Sequence, residues 1–95
     1  MAVVLLHGNP GTPVIWRPLL AELGRTDVVT PQLPGFGCPV PGGFGATKEE
    51  YVAWLVGVVE QIVAEHGPVD FVGHDWGGGI GMRAVALHPA LVRTW

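Results

Sequence analysis

Asp75 is the residue of this chain best placed to do chemistry. It stands in Val72-Gly73-His74-Asp75-Trp76-Gly77-Gly78, after the short apolar run Val69 to Val72 and before a glycine-rich helical segment. A Gly-x-residue-x-Gly sequence at a strand-to-helix junction makes a sharp turn that lifts its central side chain clear of the sheet. The residue lifted here is a carboxylate, where a serine or cysteine is the commoner nucleophile. A carboxylate can attack an alkyl carbon without first giving up a proton to a base. The plainer alternative is a turn residue or helix cap, a role that aspartate also favours.

A second loop, His7-Gly8-Asn9-Pro10, follows the first apolar run. Parallel sheets bind ligands beyond the carboxyl ends of their strands, where strand order reverses. If the second strand lies on one side of the first and the third on the other, the two loops face each other. Asn9 and Asp75 then share one site. Asn9 can instead simply shape the turn before Pro10, and Trp76 can be core packing. His7 reads as a buried structural histidine bonded to backbone. His74, next to Asp75 on the turn, should point away and is not nominated as a base. His66 and His88 fall at helix C-termini, where the dipole favours positive charge, and read as surface residues.

The elements needed to position these loops are legible from pattern. Ala2 to Leu6 is a continuous apolar run, as in a strand buried on both faces. Gly8 to Pro13 is a loop, followed by a short helix near Ile15 to Leu23 with Pro18 in its first turn and Gly24 as its stop. Trp16, Leu19, Leu20 and Leu23 share one side of it. Val28 to Thr30 is a second short strand. Pro31 to Ala46 contains Pro31, Pro34, Pro39 and Pro41 and no helical or strand period; a loop that long in a small domain is often functional. Its glycines lack the following Lys-Ser/Thr of a phosphate-binding loop. Thr47 and Glu50 form a capping box for a helix to Glu65 or His66. Its stripe is Tyr51, Trp54, Leu55, Val58, Val59, Ile62 and Val63. Val69 to Val72 is the third strand, Gly77 to Leu87 the next helix, and Leu91 to Trp95 the start of a fourth strand. About four strands and three helices in alternation predict an α/β fold, a parallel sheet with flanking helices and right-handed crossovers. Gly79-Ile80-Gly81-Met82-Arg83-Ala84 fits G-x-G-x-x-A but does not begin directly after its strand. It reads as small residues, with Gly77 and Gly78, that let the helix pack close to the sheet.

Composition narrows the function classes. The 95 residues are 48% hydrophobic and only 14% charged, which reads as a piece of a larger core, or else as a compact, poorly charged domain. A net charge of −3 without a basic stripe argues against nucleic acid. The single cysteine, Cys38, excludes an internal disulfide and provides no metal cluster. The opening apolar run is too short for a signal sequence or membrane span, so no membrane is expected and the cytoplasm is the expected compartment.

Taken together the motifs resemble those of the α/β-hydrolases. His7-Gly8-Asn9-Pro10 resembles the family's oxyanion-hole motif, and Leu33-Pro34-Gly35-Phe36-Gly37 its D-x-P-G-F-G loop, with Gln32 where an acid is usual. Gly73-His74-Asp75-Trp76-Gly77-Gly78 resembles the nucleophile elbow of the aspartate branch, the haloalkane dehalogenases and epoxide hydrolases. The resemblance implies that residues 1–95 are the N-terminal portion of a hydrolase core. The cap domain, second acid and late catalytic histidine of the family fall outside them. It implies that Asp75 forms an alkyl ester with a small apolar substrate, with no cofactor and no metal. The backbone amides of Asn9 and Trp76 would stabilise oxyanion charge. Their side chains, an amide with two donors and an indole N–H, would suit a departing halide. An epoxide hydrolase or another hydrolase of this fold is the alternative. A non-catalytic fragment that survives by self-association through its exposed sheet edge is a further one.

Overall fold

The computed structural model describes residues 2–95. The continuous apolar run forms β1 (Val3–Leu6), and all four of its residues are buried. Its neighbours are β2 (Val28–Val29) on one side and β3 (Val69–Gly73) on the other, with β4 (Val92–Thr94) beyond β3; every pairing is parallel. The order β2-β1-β3-β4 therefore reverses direction at β1, between its carboxyl end and that of β3. That is the crevice where an open α/β sheet takes its ligands.

Helices cover both faces. Val3 and Leu5 point to one face and pack with Trp16, Leu20 and Val28. Val4 and Leu6 point to the other and join Val69 and Phe71 beneath α2 (Lys48–His66) and α3 (Trp76–Leu87). Burying an aliphatic side chain of this size contributes about 1.5–3 kcal/mol, so the second face, with eleven buried residues against three, carries most of the core. The capping box of α2 forms as its sequence predicts: Thr47 Oγ1 accepts from the Glu50 N–H at 3.1 Å, and Glu50 reaches back to the Thr47 N–H. Tyr51, Leu55 and Val59 are buried, and Val52, outside the predicted stripe, joins them. No helix among the described residues is long and apolar enough to cross a membrane.

Four local expectations are corrected. The helix read from Ile15 divides into a 3-10 turn over Pro13–Trp16 and α1 (Arg17–Leu23). Only Trp16 and Leu20 of its stripe reach the sheet; Leu19 and Leu23 are exposed, because seven helical residues cannot lay two turns along a two-residue strand. The fourth strand starts one residue late, since Pro89–Leu91 forms a 3-10 turn first. Gly79 meets no packing partner, whereas a Cβ on Gly81 would strike the Phe71 ring. The G-x-G-x-x-A stretch lies inside α3, well past the strand end. It is a helix–sheet packing surface with one exposed glycine.

Asp70 fastens the outer strand. The Arg93 guanidinium donates to both its oxygens, at 3.0 and 2.6 Å, and the Thr94 hydroxyl donates to Oδ1 at 2.5 Å. These bonds, Arg93's first, hold the Asp70 carboxyl below its ordinary value. They cross the place where the β3–β4 register shifts between Val69 and Asp70, so side chains reinforce the ladder where its regular pairing is interrupted.

Candidate active site

The crevice is built from three loops, each leaving the carboxyl end of a strand. The first is anchored by His7, which is fully buried. Its Nε2 accepts from the Leu33 N–H at 2.9 Å, so the ring is protonated on Nδ1, which lies 3.1 Å from the Gly8 carbonyl. One imidazole thus satisfies two backbone groups and ties the loop after β1 to the loop that begins at Pro31. It is the structural histidine that the sequence predicts. Asn9 follows, joined to Pro10 by a cis peptide bond, and is exposed on the crevice.

The elbow sits opposite. β3 ends at Gly73, and α3 begins at Trp76. Between them Asp75 has φ 58° and ψ −120°, a conformation that L residues rarely adopt. Such strain costs on the order of 1–3 kcal/mol and persists where surrounding structure imposes it. The imposing contacts are backbone ones. His74 N–H donates to Leu6 O at 3.0 Å, Gly77 N–H to His74 O at 3.0 Å, and Gly78 N–H to Asp75 O at 2.9 Å. Asp75 occupies the N-cap position of α3, but its side chain makes no N-cap hydrogen bond there.

The carboxylate turns instead to the other loop. The Asn9 N–H donates to Asp75 Oδ2 at 2.9 Å across 66 residues of sequence. The Asn9 amide first, and the Trp76 amide second, hold the Asp75 carboxyl below its ordinary value; partial desolvation opposes them and His74 adds a small favourable charge. Such close approach requires glycine at position 8. A Cβ there would lie 2.5 Å from both the Asp75 Cβ and the His74 carbonyl oxygen, and 2.8 Å from Asp75 Oδ2. Asn9 and Asp75, expected from sequence to share one site if strand order allowed it, are brought together, with Trp76 next to Asp75 in the chain.

The third loop provides what sequence reasoning missed. Phe36 stands edge-on to the Trp76 ring at 5.6 Å and to His7 at 5.7 Å. Tyr51 of α2 lies 6.3 Å from both Phe36 and Trp76, and its hydroxyl donates to Pro34 O at 2.8 Å. The Trp76 indole, 47% exposed, is thus oriented by rings from two other elements. In the sequence Phe36 shows as part of the Leu33-Pro34-Gly35-Phe36-Gly37 loop motif and Tyr51 as a member of a helical stripe; nothing in their spacing marks convergence. His74, His66 and His88 are exposed, and among the described residues no histidine hydrogen-bonds to Asp75. No group of three His, Cys, Asp or Glu side chains able to hold a metal ion occurs among them either.

Comparison with known proteins places the chain in a family. The model of the "Alpha/beta hydrolase family" matches residues 3–94. A haloalkane dehalogenase of Psychrobacter cryohalolentis is 36% identical over 92 residues, which are 92% of this chain and 29% of that protein. A cis-3-alkyl-4-alkyloxetan-2-one decarboxylase of Xanthomonas campestris is 32% identical over 99 residues, covering 96% of this chain and 33% of that protein. Among solved structures, an epoxide hydrolase of Vigna radiata superposes with a TM-score of 0.82 at 27% identity, over 96% of this chain and 30% of its own. The chain spans about a third of the length of these relatives.

Proposed function

This chain belongs to the alpha/beta hydrolase family, and from that premise we propose that Asp75 is a nucleophile toward alkyl carbon, as in a haloalkane dehalogenase-like hydrolase. The observation that carries the reading is the Asn9 N–H bond to Asp75 Oδ2. With Oδ2 held there, Oδ1 attacks the carbon in line with the leaving group. An O–C bond forms, the carbon–halogen bond breaks, and its electron pair leaves as halide. The Asn9 side-chain amide and the Trp76 indole N–H are the donors offered to that halide. Oδ2 becomes the ester carbonyl oxygen, already seated on the amide that would stabilise it as an oxyanion when water adds to Cγ. The substrate class is a small apolar molecule, and the step calls for no cofactor. The relatives are named for haloalkane dehalogenation, alkyloxetanone decarboxylation and epoxide hydrolysis. An epoxide in place of the alkyl halide is the alternative substrate, opened by the same attack.

Among the described residues water activation has no evident agent: both His7 nitrogens are committed to backbone, and no histidine hydrogen-bonds to Asp75. We therefore expect these 95 residues to be alkylated once rather than to turn over. Incubation with 1-bromohexane, followed by intact-mass and peptide mapping, should give one hexyl group on Asp75. Because the Asn9 and Trp76 amides hold the Asp75 carboxyl below its ordinary value, the alkylation rate should be flat from neutral pH down through pH 5. It should fall only as the medium approaches that depressed value. The alternative acceptor is the Cys38 thiol, which peptide mapping tells apart from Asp75. A hexyl group on Cys38 in place of Asp75, or halide release over many turnovers, would overturn the reading.

A second reading, self-association, is favoured by one region. β4 lies at the sheet edge, and Val72, Met82 and Trp95, which are 46%, 59% and 71% exposed, border a hollow of about 260 Å³ beside it. Light scattering at micromolar concentration should then show dimers or larger species; a monomer throughout would remove this reading.

A further inference from the structure

The chain has five cationic side chains. Arg25 and Arg93 are each locked to an aspartate, Asp27 and Asp70. Of the three that make no ion pair among the described residues, two line the same cleft. Lys48, the first residue of α2, and Arg83 of α3 border a hollow of about 320 Å³, among whose lining residues are Tyr51, Val52, Trp76 and Ile80.

Neither cation has a structural reason to be there. A lysine in the first helical turn opposes the helix dipole, which favours acids at that end. Neither residue has an acid three or four positions away on its own helix, so no helical ion pair holds it. Glu49 borders the neighbouring groove with Arg83 and forms no ion pair with it. In a chain of net charge −3, two unpaired cations from separate helices meet at one apolar hollow. An apolar body with a few converging charged groups is the usual form of a small-molecule site.

We propose that this cleft binds a free apolar carboxylate. Its hydrocarbon tail lies on Tyr51, Val52, Trp76 and Ile80, and its carboxylate lies between Lys48 and Arg83. The volume suits on the order of ten heavy atoms at about 30 Å³ each, the size of octanoate. The site is separate from the Asp75 carboxylate, which does not line it, and meets the elbow only through Trp76.

Octanoate titrated into the 95-residue chain, followed by backbone and methyl NMR shifts, should saturate, with the largest changes at Val52, Ile80 and the Trp76 indole. Octanol, with the tail alone, and acetate, with the charge alone, should each bind at least tenfold more weakly. Lys48→Met and Arg83→Met should each weaken octanoate about tenfold and leave octanol unchanged. Asp75→Asn should bind octanoate as the parent does, which separates this site from the nucleophile's. Equal affinity for octanol and octanoate, shifts centred elsewhere, or no binding would overturn the proposal. The ligand comparison uses the parent chain alone, so it stands whether or not a variant folds.

Discussion

Asp75→Asn is expected to abolish the alkyl adduct, lowering its rate of formation by at least about a thousandfold, or roughly 4 kcal/mol of barrier. The substitution removes only the charge. The amide keeps the carboxylate's shape and can still accept from the Asn9 N–H that now bonds Oδ2 at 2.9 Å. Asparagine also tolerates positive φ better than most residues, and position 75 requires φ near 58°. The fold should therefore survive, with an unfolding midpoint close to the parent's. Any hexyl group that remains should map to Cys38. An undiminished adduct at position 75, or one equally abundant elsewhere in both proteins, would remove Asp75 from the mechanism.

Asn9 provides a second, smaller contrast within the same assay. Its backbone N–H touches Asp75, while its side chain is the one offered to the leaving group. Asn9→Ala keeps the first and deletes the second, so it tests leaving-group assistance apart from nucleophile placement. The Phe36, Tyr51 and Trp76 rings set the other half of that cradle, because Trp76 is positioned by edge contacts at 5.6 and 6.3 Å rather than by its own helix.

The sequence made the strands and the elbow readable for a physical reason: both are local. A buried parallel strand shows as an apolar run, and a sharp turn shows as Gly73, Gly77 and Gly78 around one polar residue. The meeting of Asn9 with Asp75 was conditional on strand order, because 66 residues separate them. It followed once β2 and β3 took opposite sides of β1. The aromatic cluster was not legible. Phe36 lies in a loop without period, and Tyr51 was assigned only to a core-facing stripe, where it is buried but also reaches Pro34 O. Nothing in the sequence marks Lys48 or Arg83, each an isolated cation on its helix; only their shared cleft makes them notable. The stripe of α1 was over-read, since helical periodicity records which side is apolar and not whether a sheet extends far enough to cover it.

Gly77→Ala should have the largest effect on folding, and Gly79→Ala, two positions along the same helix, the opposite sign. A Cβ on Gly77 would press into the backbone carbonyls of Leu6 and His7. The Leu6 carbonyl ends β1, whose residues are all buried and which pairs with β3 through Leu6 and Gly73, and the His7 carbonyl follows it directly, so neither can retreat cheaply. Overpacking against movable side chains costs about 1–3 kcal/mol; against fixed backbone the loss should reach the upper end or beyond. That is a large share of the roughly 5–15 kcal/mol available to a domain. A Cβ on Gly79 meets nothing within 4 Å, and alanine in a helix interior is favoured over glycine by about 1 kcal/mol. Chemical denaturation of the two variants beside the parent reads both effects. Gly77→Ala should move the midpoint down sharply or leave no cooperative transition, and Gly79→Ala should move it up. If the two behave alike, α3 does not sit on the end of β1 at the distance described, and the approach of Asp75 to Asn9 loses its support, because both depend on how closely the elbow seats against that strand.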